Sequence, residues 1–322
     1  MTTLDRHPPP GTTPSASHHG LLGVGADDLA ERPSATGHGR IAALDGLRAL
    51  AVGLVLAFHF GLGGLGGGFF GVDVFYVLSG FLITGLLLAE RERTGRIRLG
   101  AFWTRRARRL LPALVLVVVT VAVLVRFAAP AGRFPGFRGD ALSALFYVSN
   151  WWQVAKSADY FAVTAATSPL THTWSLAVEE QFYLVWPLVV LAVLAMARGF
   201  LRGVRALIAL SVVGALASAA AMALWYRPGA STTRLYFGTD THAQSVLVGA
   251  ALACLLTLVA RHRGEAGMDP VAHRAGSRRA LSVAGVVGIA VVVAAAVALG
   301  AASPAAWRGG FLVVALATAA VV

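Results

Sequence analysis

Apolar runs and polar breaks alternate along most of the chain. Runs long enough to cross a bilayer as helices, which takes roughly 20 residues, fall at 41–60, 69–90, 108–128, 178–198, 204–226, 242–260 and 280–300. They predict seven crossings. An eighth run, 309–322, has only 14 residues before the sequence ends, so the chain reads as a fragment that stops inside a membrane segment. Residues 1–39 carry no apolar run of signal-peptide length; their Pro, Gly, Ser, Thr and His content predicts a disordered cytoplasmic tail. Residues 40–322 then form one transmembrane unit. The expected fold class is all-α, a polytopic helical bundle of about eight membrane segments.

Composition supports this pattern. Hydrophobic residues make up 57% of the 322 and charged residues 13%, against 45–50% and about 25% in soluble domains, which excludes a single soluble globule. The 27 basic and 15 acidic residues give a net charge of +12. In a soluble protein that excess would suggest nucleic acid, but here the placement of the charge decides. The connections 91–109, 198–205 and 261–279 hold 16 arginines, whereas the opposite loops hold six basic residues, among them Lys156, the one lysine. Because short cytoplasmic loops concentrate Lys and Arg, this bias places the N-terminus inside and accounts for the charge without nucleic acid. The lone cysteine, Cys254, permits no intramolecular disulfide and no thiol-based zinc site, so no metal is expected.

Parity constrains the stretch ALSALFYVSNWWQVAKS, 140–156. It lies between regions already placed outside, and one extra crossing would invert every later loop. An interfacial or re-entrant segment is expected, with Trp151 and Trp152 at headgroup depth.

Ionisable side chains at membrane depth are costly and mark sites or pathways by default. In the first run, Arg48 and His59 are eleven residues apart, about three turns, so they share a face with an axial separation of roughly 16 Å. The plainer alternatives are snorkelling for Arg48 and an interfacial histidine for His59. The second run opens FFGVDVFYVLSGFLI and places Asp73 one turn inside the outer surface, where its carboxylate could orient a neutral His59 as a general base. A helix-start acid favoured by the macrodipole is the alternative for Asp73, and close helix packing is the expected role of Ser79 and Gly80.

Before the fourth crossing, SPLTHTWSLAVEEQFYLVWP gathers His172, Trp174, Ser175, Glu179, Glu180, Gln181 and Tyr183. The two adjacent acids face different directions on a helix, so at most one shares the face of Ser175. On the inner side, FWTRRARRLLP offers guanidinium forks that match phosphate geometry, although ordinary anchoring on anionic lipid explains them as well. The outer loop YRPGASTTRLYFGTDTHAQ adds Arg234, Asp240 and His242, a weaker signal of the same kind.

Taken together, RIAALDGLRALAVGLVLAFHF, FFGVDVFYVLSGFLIT, FWTRRARRLLP, HTWSLAVEEQFYLVWP and YFGTDTHAQSVLVGA occur in the order found in the acyltransferase-3 family of integral membrane acyltransferases, which this chain resembles over roughly 40–260. The resemblance implies about ten transmembrane helices and transfer of an acyl group, often acetyl, from cytoplasmic acyl-CoA to a hydroxyl of a glycan, lipid-linked sugar or similar acceptor. It implies that His59 is the catalytic histidine and Arg48 its structural or donor-side companion. Arg105, Arg106 and Arg109 become partners for CoA phosphates, and Glu179 and Glu180 match the family's paired acids. No bound cofactor is implied; acyl-CoA is the donor substrate, and membrane lipid is the other partner. The family pattern continues into further helices that the chain does not reach, which again predicts a truncated domain.

The combined expectation is a multi-pass plasma-membrane O-acyltransferase. His59, Asp73, Glu179 and Glu180 are its catalytic candidates; Arg48, Arg105, Arg106, Arg109, His172, Trp174 and Ser175 are its substrate-binding candidates. Direct attack on the thioester and relay through an acyl-histidine use the same residue and stay equally open. Two rivals remain: a transporter or flippase of an anionic lipid or sugar, since buried Arg, Asp and His also line transport paths, and an inactive scaffold form.

Overall fold

The computed structural model describes residues 42–130, 136–158, 160–161, 168–262, 264 and 275–322. The expected tail, 1–39, and the domain boundary at 40 lie outside them. Among the described residues every regular element is helical: α1 Ala42–His59, α2 Gly71–Thr94, α3 Leu99–Phe127, α4 Phe137–Leu145, α5 Ser149–Ala155, α6 Thr173–Met196, α7 Phe200–Trp225, α8 Thr233–Phe237, α9 Thr239–His262, α10 Ala275–Ala298 and α11 Phe311–Val321.

Six helices are long and apolar enough to cross a membrane, namely α2, α3, α6, α7, α10 and the α8–α9 run. Six of the seven expected crossings have their counterparts here, a count made among the described residues. Helix α1 is 18 residues long and carries Asp45 and Arg48, and it is not among the six. The last segment, Ala306–Val321, is apolar but shorter, and it opens with a wide turn at 306–310 before α11.

A correction concerns the basic stretch before the third crossing. Gly95 adopts the left-handed conformation (φ 71°) and closes α2 with its N–H on the Arg91 carbonyl, a role that suits glycine because it has no Cβ to clash. Helix α3 then restarts at Leu99, so Arg105 to Arg109 stand on its first turns rather than in a loop. Arginine is a good helix former, and the helix continues past its apolar run.

Helix α2 lies at the centre of the bundle, with α1, α6, α9 and α11 packed around it. Lipid supplies no hydrophobic drive between helices, so close approach depends on small residues. Gly80 and Gly249 supply it: a Cβ on Gly80 would overlap the Val246 carbonyl oxygen, and one on Gly249 would overlap that of Val77. The Gly-rich linker works likewise, with Gly68 against the Leu54 carbonyl, Gly71 against that of Ala51, and the Gly67 N–H donating 2.8 Å to the Ala296 carbonyl.

The parity argument agrees with the contacts. One end of the bundle collects the end of α1, the starts of α2, α6 and α9, and the short helices α4, α5 and α8: His59 meets His172, Asp73 meets His242, and Asn150 of α5 reaches Phe237 and Thr239. At the other end, Arg261 of α9 pairs with Glu92 of α2, its guanidinium lies over Phe200 of α7, and Arg98 pairs with Glu90 at 3.2 Å. Neither α4 nor α5 is long enough to span.

Candidate active site

His59 closes α1. Its Nδ1 lies 2.7 Å from the Val55 carbonyl oxygen, one turn back, and a carbonyl can only accept, so the proton sits on Nδ1. Nε2 therefore carries the lone pair and accepts from the Tyr160 hydroxyl at 3.1 Å. Burial pushes the Tyr160 phenol up to about 12, which keeps it a proton donor throughout the physiological range. The His172 ring stands edge-on to His59 at 4.6 Å, and partial desolvation, then the charge of His59, holds its imidazole below the ordinary value. His59 stays exposed on its remaining side. The result is an exposed imidazole with its proton on Nδ1 and its Nε2 lone pair turned to Tyr160.

Asp73 does not orient this ring. Its Oδ1 accepts from Ser245 Oγ at 2.6 Å and from His242 Nδ1 at 3.2 Å, and Asp73 and His242 are both fully buried. The physical reason is register: the tight α2–α9 contact made by Gly80 and Gly249 draws the first turns of these helices together, so α9 reaches the carboxylate. His59, meanwhile, is satisfied by its own helix and by Tyr160. His242, the weak signal in the sequence, is the true partner of Asp73.

The paired acids part company. Glu179 accepts a very short hydrogen bond from Ser79 Oγ, and Tyr183 donates to Ser79 Oγ at 2.9 Å and to Glu179 at 3.4 Å. Ser79 is thus a ligand for the acid rather than a packing residue, while Gly80 does pack. Glu180 keeps Oε1 buried with no hydrogen bond. Next to it, Gln181 donates to Asn150 Oδ1 and the Tyr147 carbonyl, both at 2.9 Å, and accepts from Thr239 at 2.6 Å, which ties α6 to α5 and α9.

The arginines separate as well. Arg106 turns into the bundle, its guanidinium 4.8 Å from the Tyr183 ring centroid and 5.9 Å from that of Phe102, and its charge acts on both Glu179 and Glu180. Arg105, Arg108 and Arg109 are exposed. The three arginines matched to the family's basic segment do not form one surface patch. Arg48 is half-exposed and pairs with Asp45 at 3.1 Å, and its charge also reaches Glu179.

Trp174 is buried, with its ring 4.7 Å from Tyr236 and 5.5 Å from His242, so it lines the interior rather than a surface. The Ser175 hydroxyl makes only a long, 3.4 Å bond to the His172 carbonyl, and its own carbonyl accepts from Tyr76 at 3.2 Å. Three participants were not singled out from the sequence: Tyr160, Tyr236 and Asn150. Tyr160 comes from a loop with no helical pattern, and only folding brings it to His59.

The arrangement can be compared with known proteins. A family model described as an acyltransferase domain matches residues 41–322. The chain is similar to the peptidoglycan O-acetyltransferase OatA of Listeria monocytogenes, 39% identical over 276 residues, covering 86% of this chain and 42% of that protein. It is similar to the putative peptidoglycan O-acetyltransferase YrhL of Bacillus subtilis, 43% identical over 216 residues, 67% of this chain and 33% of that one. It is also similar to the O-acetyltransferase OatA of Staphylococcus aureus, 37% identical over 275 residues, 85% of this chain and 43% of that one. The chain thus spans less than half the length of each of these relatives. No solved structure matches it. A family match over nearly all the described helices, joined to a multi-pass helical bundle with His59 exposed at one end, means that the chain belongs to the acyltransferase-3 family of integral membrane acyltransferases.

Proposed function

We propose that this chain is the membrane domain of an O-acetyltransferase that moves an acetyl group from cytoplasmic acyl-CoA to a hydroxyl of peptidoglycan or a similar cell-envelope glycan. The observation that carries this reading is the state of His59: Nδ1–H fixed on Val55, Nε2 bearing the lone pair, and a neutral phenol already donating to that lone pair. A hydroxyl from an acceptor sugar would take the place that the Tyr160 hydroxyl holds. The relatives named as peptidoglycan O-acetyltransferases supply the acceptor class.

In the reaction, Nε2 removes the hydroxyl proton as the oxygen attacks the thioester carbonyl. The carbon–sulfur bond breaks, and the thiolate leaves to be protonated. A positioned base of this kind contributes about 10²–10⁴-fold to rate. On the donor side, Arg105, Arg108 and Arg109 are free to engage phosphate, whereas Arg106 with Glu179, Ser79 and Tyr183 continues polar character into the bundle.

The test is to replace His59 by Ala in the full-length protein and to measure acetylated muropeptides by mass spectrometry at matched membrane protein levels. Acetylation is expected to fall at least about 100-fold. Undiminished acetylation rejects His59 as the base, and movement of an unmodified glycan or lipid across the membrane without any acetyl gain replaces the enzyme reading with a transporter.

A further inference from the structure

Next to His59 stands a second imidazole that the reaction above does not use. His172 lies on the turn that leads into α6, with its ring edge-on to that of His59 and 4.6 Å between their centroids. The turn is fixed from within. Leu170 N–H donates to Ser168 Oγ at 3.3 Å, and Thr171 N–H to the Ser168 carbonyl at 2.9 Å. Thr173 Oγ1 donates to the Leu170 carbonyl at 2.7 Å, and Trp174 N–H to the Thr171 carbonyl at 3.1 Å. Ser168, Leu170, Thr171 and Trp174 are buried, whereas His172 in their midst is exposed. Folding therefore holds the His172 ring outward, beside the base, on a backbone that has little freedom to move it away.

The ring plays no part in holding the turn. A polar residue at the N-cap ordinarily bonds a backbone N–H of the first helical turn. His172 occupies that position of α6 and makes no such bond. Among the described residues neither of its ring nitrogens has a hydrogen-bond partner. Desolvation, then the charge of His59, keeps the imidazole below its ordinary value, so at neutral pH it offers one N–H and one lone pair. Three residues on, and so on the same helix face, the Ser175 hydroxyl makes only its 3.4 Å bond to the His172 carbonyl. The partners of His59 are the Val55 carbonyl and the Tyr160 hydroxyl, and no carboxylate, guanidinium or ammonium group among the described residues bonds to His59, His172 or Ser175. These are neutral donors and acceptors, which match hydroxyl and acetamido groups rather than phosphate or carboxylate.

We propose that His172 determines specificity for the acceptor: it holds a second polar group of the sugar, a hydroxyl or acetamido group neighbouring the reacting hydroxyl, while His59 takes the proton of the reacting one. Two imidazoles in ring contact suit neighbouring substituents of a single sugar ring. The acceptor class narrows accordingly to molecules with two adjacent polar groups, because a simple alcohol presents one and leaves His172 unmatched. His172 exchanges no proton in this scheme. It binds the sugar so that the reacting hydroxyl reaches Nε2, where the Tyr160 hydroxyl stands in the resting protein. The inference rests on the acetyl-transfer reading for the identity of the acceptor, but binding of the sugar can be measured without turnover.

The experiment uses the full-length protein in lipid nanodiscs. Its probes are chitotetraose and a set of analogues in which one hydroxyl or acetamido group at a time is replaced by hydrogen. Acetyl-transfer kinetics and, separately, equilibrium binding by saturation-transfer NMR are measured for the wild type, His172→Ala and His172→Gln. In the wild type, removal of the group that His172 holds is expected to raise KM and Kd about tenfold. His172→Ala is expected to raise KM for intact chitotetraose by about the same factor with kcat little changed, and to treat the intact glycan and that one analogue alike. His172→Gln, whose amide both donates and accepts, recovers part of the preference, which a variant damaged in folding would not. Wild-type discrimination retained by His172→Ala overturns the inference, and so does a wild type that treats every analogue like the intact glycan or neither binds nor acetylates it. A wild type that transfers no acetyl but binds the glycan through His172 rejects the acetyl-transfer reading instead and leaves the acceptor site standing.

Discussion

At the residue scale, the site is governed by which nitrogen of each histidine is already occupied. The Val55 carbonyl holds the proton of His59 on Nδ1 and leaves Nε2 toward Tyr160, and Asp73 fixes His242 in the same tautomer. His172 adds a pH dependence of its own. Desolvation and the neighbouring His59 depress its imidazole below the ordinary 6.5, so the folded protein resists protonation at a pH where the unfolded chain accepts it. The sign follows from linkage: the contribution is complete above about pH 6.5 and is lost as the pH falls toward the depressed folded value. Thermal unfolding in detergent, followed from about pH 7.5 to 5, is therefore expected to show a loss of stability that His172→Gln diminishes. Identical pH profiles for the two proteins would remove His172 from the account.

At the element scale, the α2–α9 contact sets the register that brings Asp73 to His242 and presents Ser79 to Glu179. Gly80 has no room for a methyl group beside the Val246 carbonyl, whereas Gly53 on α1 has nothing within 4 Å of an added Cβ. Gly80→Ala is expected to cost about 1–3 kcal/mol, since the backbone must shift to relieve the overlap. Gly53→Ala is expected to be neutral or to stabilise by about 0.5–1 kcal/mol through helix propensity. Unfolding of the two variants in the same detergent checks the contrast. Equal stability would mean that the close approach does not hold α2 to α9. Sequence reasoning reached the packing role of Gly80 but gave the same role to Ser79, because both are small and only the position of α6 tells them apart.

At the scale of the whole molecule, the loops separate into two ends, and the arginine bias supplies a direction for them. We infer that the end bearing Arg96, Arg98 and Arg261 faces the cytoplasm. The chain suits a labelling test because its one cysteine, Cys254, is buried. With Cys254→Ala as background, Arg96→Cys is expected to react with a membrane-impermeant maleimide in inverted vesicles but not in intact cells, and Ser231→Cys the reverse. The opposite pattern inverts the orientation and places His59 on the same side as the acyl-CoA pool.

How much of this was legible in the sequence differs with the scale. Runs of apolar residues near bilayer length determine that the chain is a helical membrane bundle, because only helices and closed barrels satisfy every backbone group in lipid. Loop parity and charge likewise determine which ends lie together, since each crossing reverses the side of the next loop. Motif order was enough to recognise the family. Partner choice among the buried polar groups was beyond it. Asp73 is only 14 positions from His59 in the sequence yet bonds to a residue 169 positions away, and Tyr160 reaches His59 from 101 positions away. Those pairings depend on the rotation and depth of helices packed through glycine contacts, which no local pattern encodes, and so only the tertiary structure decided them.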